Sequence, residues 1–400
     1  MVKAKEKHRG KKDKTSPQKK STSKRQVLSL PKDRLSQMSF FTSSSSRQET
    51  LTFKHRTKFF IEQLSSVNNP NSVHGIYPYR GKISAIDASR IVSQMPQNSV
   101  LLDPFCGSGT IVYEGSKAGI HSIGVDANPI AVLLSKGKIN IPEDYFVVEN
   151  EISNLIEQAK KIKDFKAFPD YAASLFHKDS LNEILKVSTL IDAMSDYVKA
   201  CFLGALCLVA RGCNHYKWTS STVGKNIEPK RYIPFYEKWQ QKTKKHFYPV
   251  KNNSIIYLHD TRQITEILKP NSVDFVFTSP PYFDCLDYTA YYAKIIYEIL
   301  DMQRINIKRE LIQNYSEYEN DMKEVLVNLY KIMKKGGQVI FVVGDKKVHG
   351  KVINGASFFE KLSPFKIVEV IERTYSSTSS KVFDTLNSTT RKEQIIIWEK

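Results

Sequence analysis

Short apolar runs that end in turn residues recur along the chain from residue 99 onward: SVLLD (99–103), HSIGVD (121–126), SIIYLHD (254–260), VDFVFTS (273–279), GQVIFVVGD (337–345), KIVEVIE (366–372) and EQIIIWE (393–399). The first five are continuous rather than alternating in polarity, as strands covered on both faces are, and helical patterns such as IVYEGSKAG (111–119) separate them. The pattern predicts an α/β fold with a doubly wound, seven-stranded, mostly parallel sheet. Its last two strands, close in sequence, are expected to form an antiparallel pair at one edge.

More than a hundred residues separate the second strand from the third. They hold helical patterns at 148–165 and 180–212, then a polar, aromatic and basic stretch, NHYKWTSSTVGKNIEPKRYIPFYEKW (214–239), read as a loop. Such a length exceeds any ordinary connection and predicts an inserted helical subdomain. The expected organisation is a disordered basic arm (1–50), the first part of the sheet domain (51–145), the insertion (146–250) and the second part (251–400). No internal repeat is evident.

Composition narrows the class. Of 400 residues 41% are hydrophobic, enough for a sizeable core. The longest strongly apolar run, residues 200–210, is shorter than the ~20 residues of a membrane span, and the Lys-rich start lacks the apolar centre of a signal peptide. A cytoplasmic location is expected. Cys106, Cys201, Cys207, Cys213 and Cys285 form no CxxC pair and no zinc-spaced cluster, so neither a disulfide framework nor a metal site is expected. The net charge of +19 suits a polyanionic partner, but residues 1–50 alone carry 14 Lys/Arg against 4 Asp/Glu. That aperiodic arm reads either as a solvated tail or as a tether to DNA phosphates.

The octapeptide DPFCGSGT (103–110) follows a strand and opens a helix, so glycine stands where the chain must turn sharply and let a ligand approach its backbone. It is not a Walker loop, because Thr110 stands where Lys is required; Val112 replaces the third glycine of the dinucleotide pattern. Asp126, at the end of the next strand, can accept hydrogen bonds from both hydroxyls of a ribose. Asp260, in HDTRQI, ends the third strand, where a ligand's base could be read. Each acid alone is also compatible with a turn or helix cap; three in succession at strand ends argue for a site.

The fourth strand ends in TSPPYFD (278–284). Two prolines stiffen the backbone and remove two N–H donors, leaving the Ser279 hydroxyl and the carbonyls around Pro280 as fixed acceptors, with Tyr282 available to stack on a flat ring. Acceptors of this kind suit a ring that carries an amino group.

Together, DPFCGSGT and TSPPY, in this order and each at a strand end, resemble the cofactor loop and the (D/N/S)PP(Y/F) catalytic loop of the amino-methylating DNA methyltransferases that use S-adenosylmethionine. The resemblance covers roughly residues 70–145 and 250–400. It implies a Rossmann-like methyltransferase fold, with Asp103, Phe105, Gly107 and Gly109 around the methionine part of the cofactor, Asp126 at the ribose, and Asp260 and Thr261 at the adenine. It also implies a methionine-binding segment within HGIYPYRGKIS (74–84), where Tyr79 and Lys82 are candidates, although a surface loop is an equal reading there. Ser279, Pro280, Pro281 and Tyr282 would be catalytic.

Within the resembling families SPPY goes mainly with N4 of cytosine, and DPPY or NPPY with N6 of adenine. The expectation is therefore methylation of cytosine N4 in duplex DNA, with adenine N6 as the alternative. Cytosine-N4 enzymes often carry the two loops in the opposite order. Attack at cytosine C5 would need a cysteine nucleophile, typically directly after a proline, and the chain has no Pro-Cys pair; Cys285 is read as packing near the site. Target recognition is expected from the insertion, through Arg211, Asn214, His215, Lys217, Trp218, Lys225, Lys230 and Arg231, unless that loop is simply solvated. Further candidates are residues 374–394 and the helices after Tyr282. The resemblance implies a separately encoded restriction endonuclease as companion. Rival readings are an RNA base-amino methyltransferase, an inert cofactor-sensing DNA-binding protein and a nicotinamide enzyme.

Overall fold

Each of the seven apolar runs forms a strand. The computed structural model describes residues 72–79, 83–210, 231–251, 253–281, 287–290, 292–314, 316–348, 351–374 and 392–400. Strands β1 (Val100–Asp103), β2 (His121–Asp126), β3 (Ser254–Leu258), β4 (Val273–Thr278) and β5 (Met333–Gly344) are followed by a small hairpin, β6 (Lys346–Val348) and β7 (Lys351–Ile353), and by β8 (Lys366–Thr374) and β9 (Lys392–Glu399). The main sheet runs β3-β2-β1-β4-β5-β9-β8, parallel from β3 through β5, with β9 antiparallel to both β5 and β8. The strand order reverses at β1, so the crevice between the β1 and β4 carboxyl ends is where a ligand is expected. The β6–β7 hairpin was not anticipated; its sequence, KKVHGKVI, is too short and too lysine-rich to stand out as strand.

Helices α1 (Ala85–Val92), α2 (Thr110–Lys117) and α3 (Pro129–Ile139) accompany the first strands. The long interval then supplies α4 (Tyr145–Lys161), α5 (Asp170–Ala173), α6 (Lys178–Ser188), α7 (Asp196–Val209) and α8 (Phe235–Lys245). After β4 come α9 (Tyr292–Ile299), α10 (Arg304–Glu310) and α11 (Tyr318–Ile332), and α12 (Gly355–Leu362) precedes β8.

Continuous apolar strands are explained by two cores. Leu102, Val276, Phe341 and Trp398 face one cluster with α11 and α12, while their neighbours Leu101, Phe275, Ile340 and Ile397 face another with α1. Alternate residues of one strand thus enter opposite cores.

The insertion is helical, as expected, with two corrections. The 180–212 pattern is two helices, α6 and α7, because a single 3₁₀ turn (Ile191–Ala193) intervenes and Ser195 caps α7 through the Val198 N–H. The stretch read as a loop to Trp239 is helical from Phe235: Phe235 and Trp239, four residues apart, lie on one face, are fully buried, and the Trp239 indole N–H donates to the Val198 carbonyl at 3.1 Å. The basic arm lies outside the described residues. Among the described residues no helix is long and apolar enough to cross a membrane, and no group of three or more His, Cys, Asp or Glu is arranged to hold a metal ion.

Candidate active site

The loop after β1 is shaped by its two glycines. Gly107 and Gly109 have φ of 51° and 72°, the left-handed region that glycine alone enters freely. The Gly107 N–H donates to Asp126 Oδ2 at 2.8 Å, its carbonyl accepts from the Ser135 hydroxyl of α3 at 2.8 Å, and the Tyr79 ring lies where a Gly107 Cβ would point, 3.0 Å away. At its base, buried Asp103 accepts from the Thr278 hydroxyl at 2.7 Å and from the Phe105 N–H at 3.3 Å. The first of these bonds ties the end of β1 to the end of β4.

Asp126 completes β2 and accepts the Gly107 N–H on one oxygen and the Asn128 N–H, at 2.8 Å, on the other. Each oxygen keeps a second lone pair, and Asp126 lines the cleft. Asp260 caps the short 3₁₀ turn Thr261–Glu266, but its carboxylate is also gripped by Arg262, which reaches Asp321 and the Glu310 carbonyl as well. Bonds to Asp260 and Asp321 raise the Arg262 pKa further above its ordinary value. The Thr261 hydroxyl donates to the Pro104 carbonyl, joining the β3 turn to the glycine loop.

On the other wall, Ser279 and Pro281 follow β4 directly. The Pro281 carbonyl accepts a 2.6 Å hydrogen bond from the Tyr318 hydroxyl at the start of α11, so one carbonyl of this loop is already engaged. Beyond the loop, Asp287 collects Thr289 (2.5 Å), Arg304 (2.9 Å) and Lys308 (2.7 Å). Burial pushes the Asp287 pKa up, but the Lys308 and Thr289 bonds and the Arg304 charge outweigh it and hold the carboxyl below the usual range.

Both loops open into one cleft. It brings together Tyr79, Asp103, Phe105, Gly107, Asp126, Asp260, Thr261, Ser279 and Pro281. Gly109 sits one turn behind as the α2 N-cap. Pro280 is buried between two lining residues. Lys82, Tyr282 and Cys285 lie outside the described residues, as do Arg211, Asn214, His215, Lys217, Trp218, Lys225 and Lys230; Arg231 is exposed. The sequence reading missed Tyr288 and residues 310–312, which form part of the wall, and the supports Thr278, Ser135 and Tyr318. The threonine opening TSPPY was the one available signal for Thr278.

Two carboxyls in this cleft titrate high. Burial raises Asp103 to about 7, against the opposing bonds from Thr278 and Phe105, and raises Asp126 to about 6, against those from Asn128 and Gly107. A folded pKa above the unfolded 3.8 means that the folded protein holds these protons more tightly. Their contribution to stability is therefore fully present at low pH and falls as pH rises from about 4 to about 7. In thermal unfolding across that range, wild type is expected to lose roughly 2–4 kcal/mol relative to Asp103→Asn, whose amide cannot ionise. Parallel profiles would refute the assignment.

Comparison with known proteins points to one family. The model of the D12 class N6 adenine-specific DNA methyltransferases matches residues 87–331, and a second, described as DNA methylase, matches residues 273–400. The type II methyltransferase M.MjaII of Methanocaldococcus jannaschii is 21% identical over 419 residues, covering 77% of this chain and 78% of that protein. Among solved structures, TrmN from Thermus thermophilus aligns with 80% of this chain and 50% of its own at 9% identity and a TM-score of 0.33. An S-adenosylmethionine-dependent methyltransferase from Methanosarcina mazei aligns with 76% of this chain and 94% of its own at 9% identity and a TM-score of 0.32. With both loops on one cleft and a match spanning more than half of the sequence, the chain belongs to the D12 class N6 adenine-specific DNA methyltransferase family, whose methyl donor is S-adenosylmethionine.

Proposed function

We propose that this DNA methyltransferase transfers its methyl group to the exocyclic N4 amino group of cytosine in duplex DNA. The observation that carries amino methylation, whichever base is the target, is the shared cleft: the glycine loop forms one wall, Ser279 and Pro281 the other, and the Asp103–Thr278 bond joins them. S-adenosylmethionine fits the first wall. Gly107 lines the cleft with no side chain to intrude, packed against the Tyr79 ring, and Asp126 lines the same space. Asp103, Phe105, Gly107, Gly109 and Tyr79 would hold its methionine part, Asp126 its ribose, and Asp260 and Thr261 the adenine. When bound, it supplies a sulfonium methyl, an electrophile that needs no further activation.

The protein's own part is positioning. An exocyclic amino nitrogen is a poor nucleophile because its lone pair is delocalised into the ring. The Ser279 hydroxyl oxygen, accepting a hydrogen bond from one amino N–H, favours a more tetrahedral nitrogen whose lone pair can point at the methyl. The prolines and the Tyr318 bond to the Pro281 carbonyl stiffen the backbone that carries that hydroxyl. Tight alignment can be worth effective molarities of ~10⁵ M or more. To reach the amino group the base must leave the duplex, which costs a few kcal/mol. Target recognition is assigned to the 146–250 insertion, with Arg231 on its described surface, and protection against a companion restriction endonuclease is the biological role that fits.

The serine before Pro280 supports cytosine; the D12 description over residues 87–331 supports adenine N6 as the second reading. Nucleosides from DNA methylated by the protein separate them. N4-methylcytosine is expected, N6-methyladenine would establish the second reading, and product only in RNA would refute both. Ser279→Ala should lower kcat about 10- to 30-fold, the equivalent of one hydrogen bond of about 1.4–2 kcal/mol, with little change in cofactor affinity.

A further inference from the structure

The strap 72–79, which ends in Tyr79, is held by helices of the insertion. The buried Lys242 ammonium of α8 donates to the Gly75 carbonyl at 3.1 Å, and His246 Nδ1, just past α8, lies 2.6 Å from the Ser72 carbonyl. Against α7 the strap is so close that a Cβ on Gly204 would stand 1.9 Å from the Ile76 carbonyl oxygen. Val73 and Ile76 are fully buried in a core that the insertion's helices share with α3 and α9. From the opposite side, His74 Nε2 meets Glu114 of α2 at 2.8 Å with its ring edge-on to Tyr113. The far end of this clamped strap places the Tyr79 ring against Gly107.

We propose that Lys242 and His246 are positioning residues for the cofactor, acting through the strap. Removing an ammonium from water costs several kcal/mol, and an apolar side chain would fill the same space without that penalty, so packing alone does not account for a lysine at 242. What the ammonium adds is directional: it fixes a main-chain carbonyl four residues before Tyr79. The insertion therefore shapes the methionine end of the cofactor site as well as offering a surface for DNA. The proposal rests on the reading above that Tyr79 and Gly107 flank the cofactor.

Direct titration of S-adenosylmethionine, without DNA, tests it. Lys242→Met should weaken binding about 10-fold, and the kinetic loss should fall on KM for the cofactor more than on kcat. Lys242→Arg, which keeps a donor, should recover most of it. In a Tyr79→Ala background, Lys242→Met should cause no further loss, because the path to the cofactor is already cut. An equal loss in both backgrounds, or intact cofactor affinity with weakened DNA binding, would overturn the proposal. If Lys242→Met does not fold, His246→Leu serves in the same cycle with the same criteria. Full cofactor affinity in Tyr79→Ala alone would instead sink the reading of Tyr79 in the cofactor site.

Discussion

Gly109→Ala is expected to destabilise the protein by roughly 2–5 kcal/mol and to weaken S-adenosylmethionine binding at least about 100-fold. Two effects add. The residue has φ of 72°, which costs an L side chain about 1–2 kcal/mol. The new methyl would also stand 2.9 Å from Ser135 Cα, part of the α3 backbone, which cannot rotate away as a side-chain tip could. Moving α3 would displace the hydroxyl that holds the Gly107 carbonyl, so the strain reaches the loop itself. Gly119 supplies the control: its φ is 79°, but a Cβ there meets nothing within 4 Å. Gly119→Ala should show only the backbone cost and leave cofactor affinity intact. Equal effects at the two positions, in thermal unfolding and titration calorimetry, would show that the close approach to α3 is immaterial.

Asp126→Ala should likewise reduce cofactor affinity by about 100-fold or more. The carboxylate accepts two main-chain N–H groups, Gly107 and Asn128, and has capacity left for two ribose hydroxyls. Truncation leaves both N–H groups without their acceptor, at about 1–3 kcal/mol each where water cannot replace it, and removes the ligand contacts too. Asp126→Asn separates these roles. It retains the shape but presents one acceptor and one donor group, so it should recover part of the loop's stability and little of the affinity. Calorimetry on the three proteins, with the unfolding midpoint measured alongside, decides the matter; full affinity in Asp126→Ala would remove this residue from the cofactor site.

Much of the framework could be read before any coordinates because its residues answer to simple periodicity. Phe275, Val276 and Phe277 must all be apolar when both faces of β4 are covered, so the run is unmistakable. The two loops were equally visible, since glycine and proline impose backbone conditions detectable locally. Residues acting at a distance were not. Tyr318 lies 37 positions beyond the carbonyl that it holds, and Lys242 lies 167 beyond Gly75. Nothing near either one announces its partner. Helix α8 escaped for a different reason: FYEKWQQKTKK reads as polar and basic, and only its Phe235–Trp239 pair, buried against α7, marks an inner face. Asp260 was legible as a strand-end acid but not as the partner of Arg262, a local pairing that divides its carboxylate between structure and ligand.

The 2.7 Å bond between Asp103 and Thr278 has a consequence for how such an enzyme can diversify. It spans two adjacent parallel strands, whose separation of about 4.8 Å is fixed by main-chain pairing and is the same whatever side chains they carry. Donor and acceptor stations mounted on those strand ends inherit their spacing from the sheet's own lattice, as teeth inherit theirs from a ratchet. Surface loops, inserted helices and target preference can then drift through sequence space without resetting the distance that the methyl group travels.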